Sequence, residues 1–231
     1  MANEFEKTKR NTVKRVPERG HYDFETVHQV LDKADITCTV SWASEGKVRS
    51  IPTLYARDGN SICIHGSVAS RMLKELTSGA EACVVVTSVQ GVVLARSIFH
   101  HSANYKSAVC YGSFKEVQDA EEKLRLMHLI SERLVPGRWD HVRPPNSSEL
   151  RTTSILTMDI DTASAKIREG PPGDDKQDLD QYSDVWAGVI TVRQEAGGGP
   201  SSRLVPDDLC VKNQVAVPEH VAAFRLPHER D

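Results

Sequence analysis

The chain has 231 residues, 39% of them hydrophobic and 26% charged, with 14 Gly and 11 Pro; this is the balance of a folded globular protein, not of a disordered or fibrous chain. A net charge of -3, with 29 Lys and Arg against 32 Asp and Glu, excludes the single-sign field that drives binding to a nucleic-acid backbone. No apolar run approaches the roughly 20 residues of a membrane-spanning helix and Met1 to Arg10 lacks the apolar stretch of a secretory leader, so a cytoplasmic protein without a membrane anchor is expected.

In chain order, residues 1–14 are polar and basic without periodicity and read as a loose arm, followed by one domain over 15–196. Asp23 is an N-cap candidate, and Phe24, Val27, Val30 and Leu31 recur at helical spacing, which predicts a helix to Lys33. The period then changes. Stretches 36–42, 48–55, 61–65, 82–88, 91–97 and 107–117 are rich in Val, Ile, Thr and Tyr and read as strands, with hairpin turns at Ala43-Ser44-Glu45-Gly46 and Asp58-Gly59. A short helical stretch between Ile64 and Ala82 places Met72, Leu73 and Leu76 on one face. A longer helix starts at Asp119, with Leu124, Met127, Ile130 and Leu134 as its predicted buried stripe and Pro136-Gly137 as its stop. Strands at 152–161 and 183–193 flank the loop Gly170-Pro171-Pro172-Gly173-Asp174-Asp175, and Gly197-Gly198-Gly199-Pro200 opens an irregular tail over 197–231. Short connectors favour antiparallel neighbours. Many short strands in hairpin order therefore predict a mainly β chain curled into a small barrel.

The cysteines are Cys38, Cys63, Cys83, Cys110 and Cys210, with no CxxC spacing and four of them among β-branched residues; they read as buried thiols rather than disulfides or a zinc site. His100-His101 would point to opposite faces of a strand and so cannot chelate one ion there, and no metal site is predicted.

The connection His65-Gly66-Ser67-Val68-Ala69-Ser70-Arg71-Met72-Leu73-Lys74 runs from a strand through small residues into a helix start. Backbone amides, two hydroxyls and two cations converge there, as a phosphate cradle requires. An ordinary solvated helix with a Ser cap has the same composition. His65 suits either a proton donor or a structural histidine. GxxxxGK[ST], GxGxxG, GxSxG and HExxH are all absent from the chain, which argues against nucleotide-loop, Rossmann and hydrolase readings.

Arg15-Val16-Pro17-Glu18-Arg19-Gly20-His21-Tyr22-Asp23 and Ile62-Cys63-Ile64-His65-Gly66-Ser67-Val68-Ala69-Ser70-Arg71 resemble flavin-nucleotide-binding proteins related to pyridoxamine 5'-phosphate oxidase, a group that includes the nitroimidazole-resistance proteins. Phe99 to Ser107, Leu134 to Trp139 and Val185 to Ile190 extend the likeness over roughly residues 12 to 225. The resemblance implies an antiparallel split β-barrel working as a homodimer, with FMN in clefts between subunits. It implies Ser67, Ser70, Arg71 and Lys74 on the FMN phosphate. Arg49, Ser50, Ile51, Pro52 and Thr53 match the ring-binding strand, Tyr105, Lys106 and Ser107 a second group on the cofactor, and Trp186 an aromatic wall. Pro52 fits such a strand only where the ladder needs no N–H. His65 would be the catalytic proton relay.

The expected function is an FMN-dependent oxidoreductase taking electrons from a small-molecule donor. A non-catalytic flavin- or haem-binding module on the same barrel is the alternative. Two departures bear on the substrate. The Arg-x-His set of the vitamin oxidase is missing from the last strands, with only Arg225-Leu226-Pro227-His228 similar, and Lys106 stands where many relatives carry Arg.

Overall fold

The Asp23 carboxylate accepts the Thr26 amide at 2.7 Å and caps α1 (Phe24–Lys33), which buries Val27, Val30 and Leu31. The chain then turns through two hairpins. β2 (Thr37–Ser44) and β3 (Lys47–Asp58) are joined by Glu45 and Gly46, both at positive φ (52° and 71°), a two-residue geometry whose twist matches antiparallel strands. Gly59, at φ 57°, turns β3 into β4 (Ser61–Ser67). After α2 (Arg71–Leu76) come β5 (Glu81–Leu94), β6 (Ser102–Glu116), α3 (Ala120–Leu134), α4 (Ser147–Thr152), β7 (Thr153–Asp159) and β8 (Thr162–Arg168).

The computed structural model describes residues 3–194, 202–207 and 215–222, drawn from two compact units: Met1–Thr87 with Ser107–Lys166, and Ser88–Lys106 with Ile167–Asp231. In the first unit the strand order is β1 (Gly20–His21), β8, β6, β7, β4, β3, β2, β5. β5 also pairs with β6, so the order from β6 to β5 returns on itself, the closure that removes sheet edges. The sheet is mainly antiparallel with few helices, and its fold is the split barrel that the resemblance implies. Tyr55, Ile62, Ile64, Leu156 and Met158 are fully buried. Cys63, on the other face of β4 from Ile62 and Ile64, packs with Ala56 and Ile155 against Leu126 and Ile130 of α3.

The arm expected to be loose is bound. Phe5 is 4% exposed, its amide donates to the Tyr22 carbonyl at 2.8 Å, and the Asn11 side chain donates to the Ala163 carbonyl at 3.0 Å. A single aromatic among charged residues supplies this anchor without any periodicity to signal it. The predicted strands 82–88 and 91–97 are one strand, β5, running through Gly91. A Cβ on Gly91 would lie 2.8 Å from the Ile190 carbonyl, so this glycine serves a close strand approach and not a turn. The predicted strand 152–161 is β7 followed by a turn into β8. On α3 the most buried residues are Leu126 and Ile130, whereas Leu124 and Leu134 are each 38% exposed; the buried face is rotated from the predicted stripe.

In the second unit, Gly91 to Leu94 of β5 pair with β9 (Gly188–Gln194), and β9 pairs with β10 (Ser202–Asp207). β9 thus starts later than the predicted 183, and β10 and α6 (Glu219–Ala222) form within the tail expected to be irregular. Residues 197–200 and 225–228 lie outside the described residues. Trp186, Ile190 and Val221 form this unit's buried cluster. Its α5 (Lys176–Gln181) follows a buried ion pair: Asp174 accepts the Arg96 amide at 2.8 Å and the Arg96 guanidinium at 2.6 Å. His100 and His101 sit in and after a 3-10 turn (Ile98–His100) instead of on a strand.

Cys38, Cys63 and Cys110 are buried free thiols and Cys83 is half-buried; burial pushes the Cys63 thiol up to about 11. Three of these are buried as expected, Cys83 only in part, and Cys210 lies outside the described residues. No helix among the described residues is long and apolar enough to cross a membrane.

Candidate functional site

β3 pairs with β4 only from Tyr55 to Asp58, while its pairing with β2 runs from Lys47 to Leu54. Between Lys47 and Leu54 it is therefore bonded on one side. The Tyr55 amide donates to the Ile36 carbonyl, so by alternation Thr53, Ile51 and Arg49 face β2, and Ser50, Pro52 and Leu54 direct their main-chain groups to the open edge. Pro52 falls on the side where its missing N–H breaks no ladder bond. Ser50, Ile51 and Pro52 are exposed and Thr53 half-buried. Ser41 and Ser50 share a hydroxyl hydrogen bond at 2.9 Å. The open edge can donate and accept hydrogen bonds, as a flat heteroaromatic ring requires.

Beside this strand, Glu75 on α2 gathers three donors. It accepts the Trp42 indole N–H at 2.8 Å and the Arg71 guanidinium at 2.9 Å, and pairs with Arg49 at 2.9 Å. Bonding to the Trp42 indole, and then to Arg71, holds the Glu75 carboxyl below its ordinary range. Glu45 also approaches Arg49 at 3.9 Å, so the exposed positive charge of this region rests on Arg71 and Lys74. The Arg71 side chain is 66% exposed, with its terminal nitrogens free of any other described ion pair. Ser70 caps α2 by accepting the Leu73 amide, and its own amide donates to the Ser67 carbonyl at 2.8 Å. The Ser67 hydroxyl accepts the Ala69 amide at 3.1 Å, while Ser67 and Lys74 are exposed. Both sequence readings of this loop thus coexist, since the Ser cap is made and the cationic rim is still available.

His65 turns away from this rim. A Cβ on the next residue, Gly66, would lie 3.1 Å from Leu73 on α2, and neighbours on a strand face opposite ways. The imidazole instead lines a cavity of about 220 Å³ with Leu54, Met127, Ile130, Leu134 and Trp139. Its Nδ1 is buried with no hydrogen-bond partner, and burial pushes its pKa below the ordinary histidine value, so the ring is neutral at pH 7. The Nδ1 is therefore an orphaned polar atom beside an apolar cavity, a state that costs free energy unless a further group satisfies it.

Residues 23–167 match the family described as pyridoxamine 5'-phosphate oxidase. The chain belongs to this family. A solved structure of the flavocytochrome Anf3 from Azotobacter vinelandii is 33% identical, with a TM-score of 0.75, over 95% of this chain and 98% of that one. The FAD and haem binding protein from Mycobacterium smegmatis is 31% identical, with a TM-score of 0.72, over 90% and 97% of the two chains. A Bacteroides thetaiotaomicron protein described as a 5-nitroimidazole antibiotic resistance protein is 17% identical at a TM-score of 0.54, over 63% of this chain and 84% of that one, and shares the fold. No curated protein matches the chain.

The remaining site residues of this pyridoxamine 5'-phosphate oxidase family member fall in two places. Ser107 is in the first unit, where its hydroxyl donates to the Lys166 carbonyl at 3.3 Å. Tyr105, Lys106 and Trp186 belong to the second unit. Lys106 pairs with Glu169 at 2.8 Å. Trp186 is 4% exposed and lines a cavity of about 320 Å³ with Leu94, His101 and Val221; its indole N–H has no partner among the described residues. Glu75 and Trp139 were not anticipated from sequence. Arg71 and Glu75 stand four apart on one helix face, a legible pair, but only the fold brings Trp42 and Arg49 to the same carboxylate.

Proposed function

We propose that the protein is a flavin- and haem-binding electron-transfer protein. The observation that carries this reading is the likeness, above 30% identity and over nearly the full length of both chains, to two proteins named for a flavin and a haem. The flavin would lie along the open edge from Ser50 to Thr53 with its phosphate toward Ser67, Ser70, Arg71 and Lys74. FAD, the flavin of the Mycobacterium smegmatis relative, is proposed over the FMN expected from sequence; both offer a phosphate to the same cations. The haem would be held by His65, a neutral imidazole lining an apolar cavity. A flavin can take up two electrons together and give them up one at a time and a haem carries one, so the two groups would couple a hydride donor to a one-electron acceptor. The chain's own share is to orient the flavin ring, neutralise phosphate charge, and keep water from the imidazole.

The visible spectrum of the purified protein tests this. A Soret band together with flavin absorption, in equimolar amounts, is expected, and mass spectrometry of the released nucleotide distinguishes FAD from FMN. Flavin without haem returns the chain to a flavin-only oxidoreductase, and neither cofactor overturns the reading. Arg71→Ala removes a charge-assisted hydrogen bond at an exposed position and is expected to weaken flavin binding by about tenfold, read by fluorescence titration of the apoprotein. Unchanged affinity would remove Arg71 from the phosphate site.

A further inference from the structure

His100 ends the 3-10 turn after β5, and Asp175 and Asp178 lie at the start of α5. Their ligating atoms, an imidazole nitrogen and two carboxylate oxygens, all lie within 4.8 Å of one another. Around a tetrahedral ion at about 2.1 Å from each ligand, neighbouring ligand atoms stand roughly 3.4 Å apart, so small side-chain rotations close the set. His100 Nε2 is already 3.2 Å from Asp175 Oδ2.

Two further observations separate this group from an ordinary acidic surface. Asp178 is only 9% exposed, and its carboxylate has no hydrogen bond or ion pair among the described residues, so its charge is left to water or to a ligand. Asp175 is the N-cap of α5, but its side chain makes no cap hydrogen bond, although capping is the usual use of Asp at that position. Both carboxylates forgo the local partners they would normally take and converge on one imidazole. The neighbouring Asp174 is fully engaged by Arg96, with side chains 1% and 3% exposed. That buried pair fixes the start of α5 to the chain leading into His100, so the three ligands sit on two segments already joined.

We propose that His100, Asp175 and Asp178 form a site for a divalent transition-metal ion, with water completing its coordination. One nitrogen and two carboxylate oxygens suit Zn²⁺ or a similar ion better than Ca²⁺ or Mg²⁺, which take oxygen ligands alone. The ion compensates the Asp178 charge and clips the 3-10 turn to α5. This site is independent of the flavin and the haem, because its residues belong to neither proposed cofactor set.

The test is equilibrium dialysis of the full-length protein, with its cofactors as purified, against Zn²⁺, the bound metal being counted by elemental mass spectrometry. One Zn²⁺ per chain is expected in the wild type, together with a rise in its thermal midpoint. Asp178→Asn and His100→Ala should each weaken that binding by at least about tenfold and abolish the midpoint rise. Asp175, with its side chain 63% exposed, allows a variant that does not disturb packing, and Asp175→Asn should act in the same direction even if Asp178→Asn fails to fold. A wild type that retains no Zn²⁺, or variants that bind it as tightly as the wild type, would overturn the site.

Discussion

Asp174→Ala is expected to destabilise the second unit by about 3–5 kcal/mol, because it leaves the Arg96 guanidinium buried without its counter-charge. Both side chains are nearly inaccessible, at 3% for Arg96 and 1% for Asp174. Asp174 accepts from the Arg96 guanidinium and also from the Arg96 main-chain amide, so truncation strands two donors at once. Arg96 Nε already has no partner among the described residues, which leaves the side chain no second bond to fall back on. Arg96 also lines the cavity beside Trp186, so water entering there offers the stranded guanidinium partial relief, which sets the lower end of that range. Hydrogen exchange separates the units: amides of β9 should lose protection in Asp174→Ala while those of β4 keep theirs. A global unfolding free energy within about 1 kcal/mol of the wild type, with β9 protection unchanged, would show that the pair contributes little.

What the sequence disclosed follows from the range of the forces involved. Caps and turns are local, so Asp23, Ser70, Asp119 and Gly59 marked their elements where the structure has them. Gly91 opens a separate strand in the sequence reading, whereas the structure runs β5 through it, because its role is set by the Ile190 carbonyl roughly a hundred positions away. β8, with its sequence Thr-Ala-Ser-Ala-Lys-Ile-Arg, has small residues where a strand usually shows β-branched ones, so nothing local announces it. The short elements α4 and α5 have too few turns for a periodic stripe. Phe5 shows the same limit from the other side, since one aromatic anchors a segment that composition alone reads as free.

The candidate site divides along the same line. The loop from Ser67 to Lys74 is contiguous, and its cationic rim and Ser cap can be read from eight residues. The open edge of β3 needed the register, because only the end of the β3–β4 ladder at Tyr55 frees Ser50 and Pro52. Glu75 needed the tertiary fold, which converts an exposed i, i+4 pair with Arg71 into a junction with Arg49 and Trp42. The face that His65 presents follows from strand alternation, but what it faces depends on α3 lying over β4. Sequence proximity to the phosphate loop suggested a shared role for His65 and Arg71, and the geometry separates them.

On the proposed function, His65→Ala should remove the Soret band while leaving flavin absorption in place. The imidazole is the only titratable group lining its cavity, whose other walls are Leu54, Met127, Ile130, Ser131, Leu134 and Trp139. Burial lowers the pKa of the ring and favours its neutral form, the form in which a lone pair would be available to the iron of the proposed haem. Outer-shell changes at metal sites commonly reduce affinity 10–100-fold, so loss of the ligand itself should exceed about a hundredfold. Truncation of a half-buried histidine removes little apolar area, and the flavin edge on β3 is built from other residues, so flavin content serves as the internal control for folding. The proton-relay role predicts the reverse pattern: normal haem and flavin content in His65→Ala, with slowed flavin reduction or reoxidation in stopped flow. Added imidazole gives a further separation, since an exogenous ligand entering the enlarged cavity should restore the Soret band if His65 binds iron. A variant that keeps its full Soret intensity without imidazole would assign the haem to another residue.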